Sequence, residues 1–243
     1  MSVSFRPLPV LTIVGTVLFA MLIGLGVWQL QRLQWKLGLI AEVNRNLAAS
    51  PITLDRALAM GVDAQYHRVR LEGRFDNSKE TYVFGTGILG APILHVIVPF
   101  HAAGGQTLLV DRGIVPRDLR EPATRARSLI AGPTTIVGVW RVPDPPGPFT
   151  PPPDIPQRMW YSRDVTSMAR ADGITLAAPV IVEADATPNP GGWPKGGQTQ
   201  VAFRNEHLQY AITWFLMAAG LLGVYLAYHV SRGRLTIVRA KKT

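Results

Sequence analysis

Asn205-Glu206-His207-Leu208-Gln209-Tyr210-Ala211-Ile212-Thr213-Trp214-Phe215 marks the point where a polar, proline-rich region gives way to a long apolar run. From Leu208 to Ser231 the chain has 24 residues without Asp, Glu, Lys or Arg, enough for an α-helix to cross a bilayer. Asn205 is placed to cap that helix, and Glu206 suits the positive end of its dipole. In a helix, His207, Tyr210, Ala211 and Trp214 fall at i, i+3, i+4 and i+7 and form one stripe at the membrane edge. The dipole at a first helical turn favours the neutral imidazole, which is the form that ligates metal. The stretch therefore has the makings of a metal or haem site at the lipid boundary. A plainer role fits the same residues, because Tyr and Trp gather at membrane interfaces and a His there serves as a polar anchor.

A matching run lies at the other end. Pro7 to Gln31 is 25 residues without a formal charge, and the spans expected are 8–31 and 207–230. A cleaved signal peptide is the rival reading of the first run, with Gly24-Leu25-Gly26 as a small-x-small site. The run is long for a signal sequence and Gly is a poorer cleavage residue than Ala, so a retained anchor is expected. No Arg/Ser-rich amphipathic transit peptide precedes it, which favours a bacterial inner membrane over an organelle. Trp28 and Trp35 mark the outer interface. Small faces at Ala20-x-x-x-Gly24 and Ala219-x-x-x-Gly223 predict close packing of the two helices.

The formal charge of +9 invites a nucleic-acid reading, and its distribution answers against it. Arg232, Arg234, Arg239, Lys241 and Lys242 follow the last apolar run with no acid among them, and Arg6 precedes the first. All 16 acidic residues lie from Glu42 to Glu206, facing 19 basic ones in the region between the two runs. The excess thus belongs to the flanks of the apolar runs, where it sets orientation or meets anionic lipid. The basic tail, 231–243, is expected in the cytoplasm with the N-terminus, leaving 32–206 in the periplasm. The absence of cysteine excludes disulfides, thiolate catalysis, C-x-x-C-H haem attachment and Cys-based copper or zinc sites.

Between the runs the signals are strands and turns. Val69, Leu71 and Gly73 alternate with charged neighbours, the pattern of a half-buried strand. Further strands are expected at Thr81–Phe84, Ile93–Phe100, Thr107–Asp111, Thr134–Arg141, Arg158–Tyr161, Pro179–Glu183 and Gln200–Arg204. Ser50-Pro51 reads as the start of a short helix, and Asp164 as the cap of another, Val165–Ala171. The region from Pro143 to Pro156 is proline-rich and expected to be extended. The fold class is a membrane protein, with two transmembrane α-helices flanking a β-rich antiparallel (α+β) periplasmic domain, a barrel or sandwich with a few helices.

Three motifs fall away on inspection. Gly85-Thr86-Gly87-Ile88-Leu89-Gly90 matches a dinucleotide fingerprint, yet Ala91-Pro92 and a second β-like run follow where a helix is required, so it reads as a hairpin turn. The segment Gly191 to Gly197 lacks the Gly-Lys-Ser/Thr order of a phosphate loop and reads as a hinge. Asp111-Arg112 sits in a strand, where neighbours point to opposite faces, so a structural role is expected. His67, His95 and His101 are placed on separate strand-like segments with packing or surface roles, and His229 at the inner interface.

Asn-x-His-Leu-x-Tyr-Ala-x-Thr-Trp-Phe at the head of a C-terminal apolar helix resembles the surfeit-locus cytochrome oxidase assembly family. So do Leu25-Gly26-Val27-Trp28-Gln29-Leu30-Gln31-Arg32-Leu33-Gln34-Trp35-Lys36, Arg68 to Phe75, Val110-Asp111-Arg112-Gly113-Ile114-Val115-Pro116, Trp160-Tyr161-Ser162-Arg163-Asp164 and Gly196-Gly197-Gln198-Thr199, in family order over nearly the whole chain. Ile114 stands where the family usually has Trp. The resemblance implies an assembly factor for cytochrome c oxidase that binds haem a transiently and assists its insertion into the largest oxidase subunit. A haem a synthase is a further partner it suggests. His207 would be the axial ligand of the haem iron, with Tyr210 and Trp214 beside the porphyrin. A scaffold that binds no cofactor and steadies an assembly intermediate is the alternative. With no nucleophile–base constellation in the sequence, an enzyme is not expected.

Overall fold

The computed structural model describes residues 2–238 apart from 88, 89, 144, 200–202 and 204. The chain divides into two compact units, 1–42 with 202–243, and 43–201. All of the strand expected at Gln200–Arg204 except Phe203, and the basic residues Arg239, Lys241 and Lys242, lie outside the described residues.

The first unit is built on two helices, each long and apolar enough to cross a membrane: α1, Pro9–Ala48, and α4, His207–Ser231. α1 does not stop at the first charged residues. It runs past residue 31 through Arg32 and Lys36, and its last residues, 43–48, belong to the second unit. The less exposed positions of α1 recur as Thr12, Gly15, Phe19, Leu22, Gly26 and Gln29, and those of α4 as His207, Ala211, Trp214, Ala218, Leu221 and Tyr225. Alternating steps of three and four residues are the signature of two helices meeting along one seam.

Three contacts fix the pairing as antiparallel. Thr12 Oγ1 lies 2.7 Å from the Tyr225 hydroxyl. A Cβ built on Gly26 would fall 2.5 Å from the Phe215 ring. Gln29 Oε1 lies 2.7 Å from His207 Nδ1. The small faces expected to mediate packing do not: Gly24 and Gly223 are exposed, and a Cβ on either meets nothing within 4 Å. Close approach is needed at Gly26 instead, because there a whole aromatic ring from the partner helix fills the place of a side chain.

A two-stranded antiparallel ribbon joins the ends of this unit, β1 (Ser2–Phe5) with β10 (Leu235–Val238). Phe5 from the ribbon packs on His229, ring centroids 5.4 Å apart. His229 is fully buried, and its Nδ1 donates to the Tyr225 carbonyl at 2.9 Å. It is thus a packed residue of the helix pair, where the sequence suggested an interfacial one.

The second unit is β-rich. Its strands are β2 (Ile52–Thr53), β3 (Arg68–Phe75), β4 (Thr81–Thr86), β5 (Pro92–Ala102), β6 (Thr107–Pro116), β7 (Thr134–Arg141), β8 (Met159–Trp160) and β9 (Ile181–Ala184). They form one sheet in the order β2-β3-β7-β9-β6-β5-β4-β8, and β3 also pairs with β5. That extra pairing closes β3, β7, β9, β6 and β5 into a ring, which removes the sheet edges they would otherwise present. Only β2–β3, β4–β8 and β6–β9 run parallel. The sheet is therefore mixed where antiparallel pairing was expected; β9 enters between β6 and β7 after a long excursion that includes the helix α3 (Val165–Ala171).

Inside the ring Val69, Leu71, Leu94, Val96, Val98, Phe100, Leu108, Val110, Trp140 and Val182 form the main core. Burying side chains of this size contributes about 1.5–3 kcal/mol each. A second cluster, Val83, Ile97, Leu109, Trp160 and Ile181, is covered by Val165 and Met168 of α3 (Val165–Ala171). Asp164 caps α3 as expected, accepting from the Ser167 N–H at 2.9 Å. The other short helix, α2 (Leu54–Met60), starts at Thr53. The Ser50-Pro51 start fails because Ile52 and Thr53 are extended beside β3.

The Gly85–Gly90 motif is a hairpin connection: Thr86 pairs with Pro92, and the Gly87 N–H bonds the Ala91 carbonyl at 2.7 Å. The glycine-rich stretch expected to be a hinge is docked in place. Lys195 forms an antiparallel bridge to Ile114 of β6. A Cβ on Gly196 would lie 2.2 Å from the Asp185 carbonyl oxygen, so that stretch is held too closely to swing.

Candidate functional site

His207 opens α4, and its cap position is Glu206, not Asn205 as the sequence suggested. Glu206 makes no side-chain cap bond, and its negative charge suits the positive end of the helix dipole. The His207 ring is tied across the seam by Gln29. An amide oxygen can only accept, so Nδ1 carries a proton, and in the neutral tautomer that makes this bond Nε2 is the nitrogen with the lone pair. Among the described residues nothing occupies Nε2. A ligating His is normally held in this way, with one nitrogen fixed by a hydrogen-bond acceptor and the other presented to the metal.

The stripe read from spacing is partly separated by the structure. His207, Ala211 and Trp214 face the seam, whereas Tyr210 is 51% exposed and stands outside it. Leu208 and Trp28 are exposed to a similar degree. These open apolar and aromatic surfaces, not a closed pocket wall, are what a porphyrin would lie against. The donor set fits haem iron: one imidazole, oriented by Gln29, at the end of an apolar helix. Sequence alone gives Gln29 no role: it is one of two amides, with Gln31, near the end of the uncharged run, and only the antiparallel register sets residue 29 opposite residue 207.

The motifs of the second unit gather elsewhere. Between the pairs His95–Ile114 and Ile97–Asp111, β6 carries one extra residue. This bulge at Arg112-Gly113 re-aims the side chains of the strand. Gly113 has φ +116, and a Cβ there would lie 2.0 Å from the Lys195 carbonyl oxygen, so no other residue fits. Asp111 and Arg112 point to opposite sides, as alternation requires. Arg112 goes inward, donating to the Ser128 carbonyl at 2.7 Å and to Asn189 Oδ1 at 2.9 Å, with its guanidinium 4.8 Å from the Phe75 ring centroid. Burial pulls its pKa down to about 10, partly opposed by the Glu80 carboxylate. Asp111 goes to the other side, where its Oδ2 takes His95 Nδ1 at 2.8 Å and Arg163 at 3.4 Å. His95 and His101 share β5, so the expectation of separate segments is wrong for that pair. The strand expected at Ile93–Phe100 already holds His95 and stops one residue short of His101, which the observed strand includes.

A family model described as the SURF1 family matches residues 16–219, from the first apolar helix to the second. The chain belongs to the SURF1 family. Surfeit locus protein 1 of Mus musculus is 36% identical over 225 residues, covering 86% of this chain and 72% of its own. Surfeit locus protein 1 of Takifugu rubripes is 35% identical over 228 residues, 86% of this chain and 92% of its own. A SURF1-like protein of Monosiga brevicollis is 35% identical over 230 residues, 89% of this chain and 87% of its own. The SURF1 match runs from within the first long helix, through the whole β-rich unit, into the second, so it takes in Gln29, Asp111, Arg163 and His207 alike.

Proposed function

We propose that this SURF1-family chain is an assembly factor for a haem-copper terminal oxidase, anchored in a bacterial inner membrane by α1 and α4. It holds haem a on His207 and passes it to the largest oxidase subunit. The observation that carries this reading is the 2.7 Å contact between Gln29 and His207, which leaves Nε2 as the open nitrogen. Haem a is cargo here. His207 supplies one axial nitrogen, Gln29 fixes the ring, and exposed Tyr210 offers aromatic surface at the porphyrin edge. Trp214, on the seam, supports the helix pair beneath. No bond in the cargo is made or broken by the protein, so the role is that of a chaperone and not of an enzyme. Family membership supports the assembly role, and the length and apolarity of the two helices support the bilayer placement. The basic residues after α4 support cytoplasmic termini and a periplasmic second unit.

The test is the visible spectrum of the protein purified from cells that make haem a. A bound haem that is lost in His207→Ala, with membrane insertion unchanged, supports the reading. Purification without haem, in a protein that still co-purifies with an oxidase intermediate, replaces it with the scaffold role.

A further inference from the structure

The second unit carries a cleft that the haem reading leaves without a role. Three sequence stretches far apart in the chain meet there: Asp111 from 110–116, Arg163 from 160–164 and Gln198 from 196–199. Arg163 and Gln198, with Thr86, His95, Arg141 and Glu183, border a cavity of about 540 Å³, and Asp111 stands behind them, bonded to His95 and Arg163. A smaller one of about 220 Å³ shares Arg141, Arg163 and Glu183 and is roofed by the proline-rich segment at Pro143, Pro145 and Pro146.

The polar groups around this cleft are incompletely paired. Glu183 Oε1 lies 3.7 Å from the Nε of both Arg141 and Arg163, beyond hydrogen-bond length. Among the described residues, Arg141 Nε, Arg141 Nη1 and Arg163 Nε are buried donors with no acceptor, and Glu183 Oε2 is a buried acceptor with no donor. Such groups cost free energy unless something else satisfies them. The Glu183 side chain is 8% exposed and that of Arg163 33%, so the cleft is deep yet open on the Arg163 side. His95 is held by Asp111, whose second oxygen takes the Gly113 N–H at 2.9 Å. A carboxylate only accepts, so the Asp111 contact places the His95 proton on Nδ1. Nε2 then faces the β4 side, 3.5 Å from where a Cβ on Gly85 would lie.

A metal ion does not suit this place. Two guanidinium groups stand in it, and no group of three metal-binding side chains occurs among the described residues. The formal charges of Arg141 and Arg163 cancel those of Asp111 and Glu183, so a dianion gains little from it either. The unpaired atoms ask for a ligand that brings acceptor oxygens to the two guanidinium groups and one N–H or O–H donor to Glu183 Oε2. We propose that this cleft is a binding site for a monocarboxylate bearing a hydrogen-bond donor beside it. Two sources share that chemistry: a free hydroxy acid, and the C-terminal residue of a polypeptide, whose amide N–H adjoins its carboxylate.

The experiment uses the full chain in detergent. Binding is read as the concentration-dependent rise in Tm with lactate, with N-acetylglycylglycine, and with the methyl esters of both. At least one acid stabilises the protein while its ester does not. Arg163→Gln weakens that binding tenfold or more. Gln198→Glu at the half-buried rim, which leaves the ion pairs intact, weakens it several-fold by adding a negative charge. Preference for lactate identifies a free hydroxy acid, and preference for the dipeptide a polypeptide C-terminus; either supports the site. No stabilisation by either acid in the folded wild-type chain overturns it. Equal stabilisation of wild type, Arg163→Gln and Gln198→Glu also overturns it, because the acids then bind elsewhere.

Discussion

Gln29 Oε1 and His207 Nδ1 lie 2.7 Å apart although 178 positions separate them in the chain. The bond joins the two stretches that carry the strongest family likeness at the two ends of the sequence. It also chooses which imidazole nitrogen is free, which makes Gln29 a positioning residue for whatever His207 holds.

Replacing Gln29 by Leu removes the acceptor and leaves the ring free to rotate and change tautomer. Haem affinity should fall about 10–100-fold, the usual cost of losing such a support. Gln29→Glu keeps an acceptor and should retain most of it. Haem titration of the purified apoprotein distinguishes the two; equal affinity in wild type and Gln29→Leu would remove Gln29 from the site.

Tyr210 and Trp214 should behave differently, because one is exposed and the other faces the seam. Tyr210→Ala is expected to weaken haem binding by about 1–3 kcal/mol with no loss of thermal stability, as for a side chain that packs only on the cargo. Trp214→Ala should lower both haem affinity and Tm. A Tyr210→Ala variant less stable than Trp214→Ala would contradict the assigned faces.

Gly26→Leu should separate the helices, since the Phe215 ring already occupies that space. The overpacking cost is about 1–3 kcal/mol or more. Gly223→Leu, at a site with nothing within 4 Å, should be silent. Cross-linking between cysteines placed at positions 22 and 218 reports the seam directly, and reversal of the two effects would mean a different helix register.

Glu80 and Arg125 form a fully buried ion pair, with the Tyr82 hydroxyl 2.6 Å from the same carboxylate oxygen. Burial, then Glu80, holds the Tyr82 hydroxyl well above the usual tyrosine range, so it stays protonated and can donate. Glu80→Ala leaves a guanidinium buried and unpaired and should cost about 3–5 kcal/mol. Glu80→Ala together with Arg125→Met should recover much of that loss. Denaturation of the full chain measures both, and a double variant no better than the single one would count against the pairing.

Phosphatase-type reporters fused at Pro145 and after residue 238 test the topology. Activity is expected at Pro145 alone; activity only at the tail would invert the chain in the membrane.

The helices and most strands were legible because their signals are local. An uncharged run, an alternating Val69-Arg70-Leu71-Glu72, or an Asp164 three residues before Ser167 each declares itself within a few positions. The errors arose where the deciding partner lies far away. Ser50-Pro51 resembles a helix start, but pairing with β3 holds Ile52 and Thr53 extended. Gly24 and Gly223 looked suited to helix contact, yet the seam runs through Gly26, chosen by Phe215. Gly191–Gly197 looked flexible, and backbone pairing with Ile114 pins it. At the candidate haem site His207 was readable from its place in the helix, while Gln29 was not. In the cleft, Arg163 and Asp111 were visible as motif residues, but only the bulge in β6 and the closure of the strand ring bring them to His95, Arg141 and Glu183.

The bond between Gln29 and His207 also imposes an order on biogenesis. The whole of 43–201 is synthesised after one half of the helix pair and before the other. At translation rates of about 5–20 residues per second, the 178 intervening positions take roughly 10–35 s. For that interval the nascent chain presents Gly26 and Gln29 on an unpaired face, open to lipid or to any other helix in reach. His207, the proposed ligand, is made after Gln29 and after the whole of 43–201, ahead of the rest of α4 and of β10. On the proposed reading, the nitrogen offered to the porphyrin is thus made only after the residue that orients it.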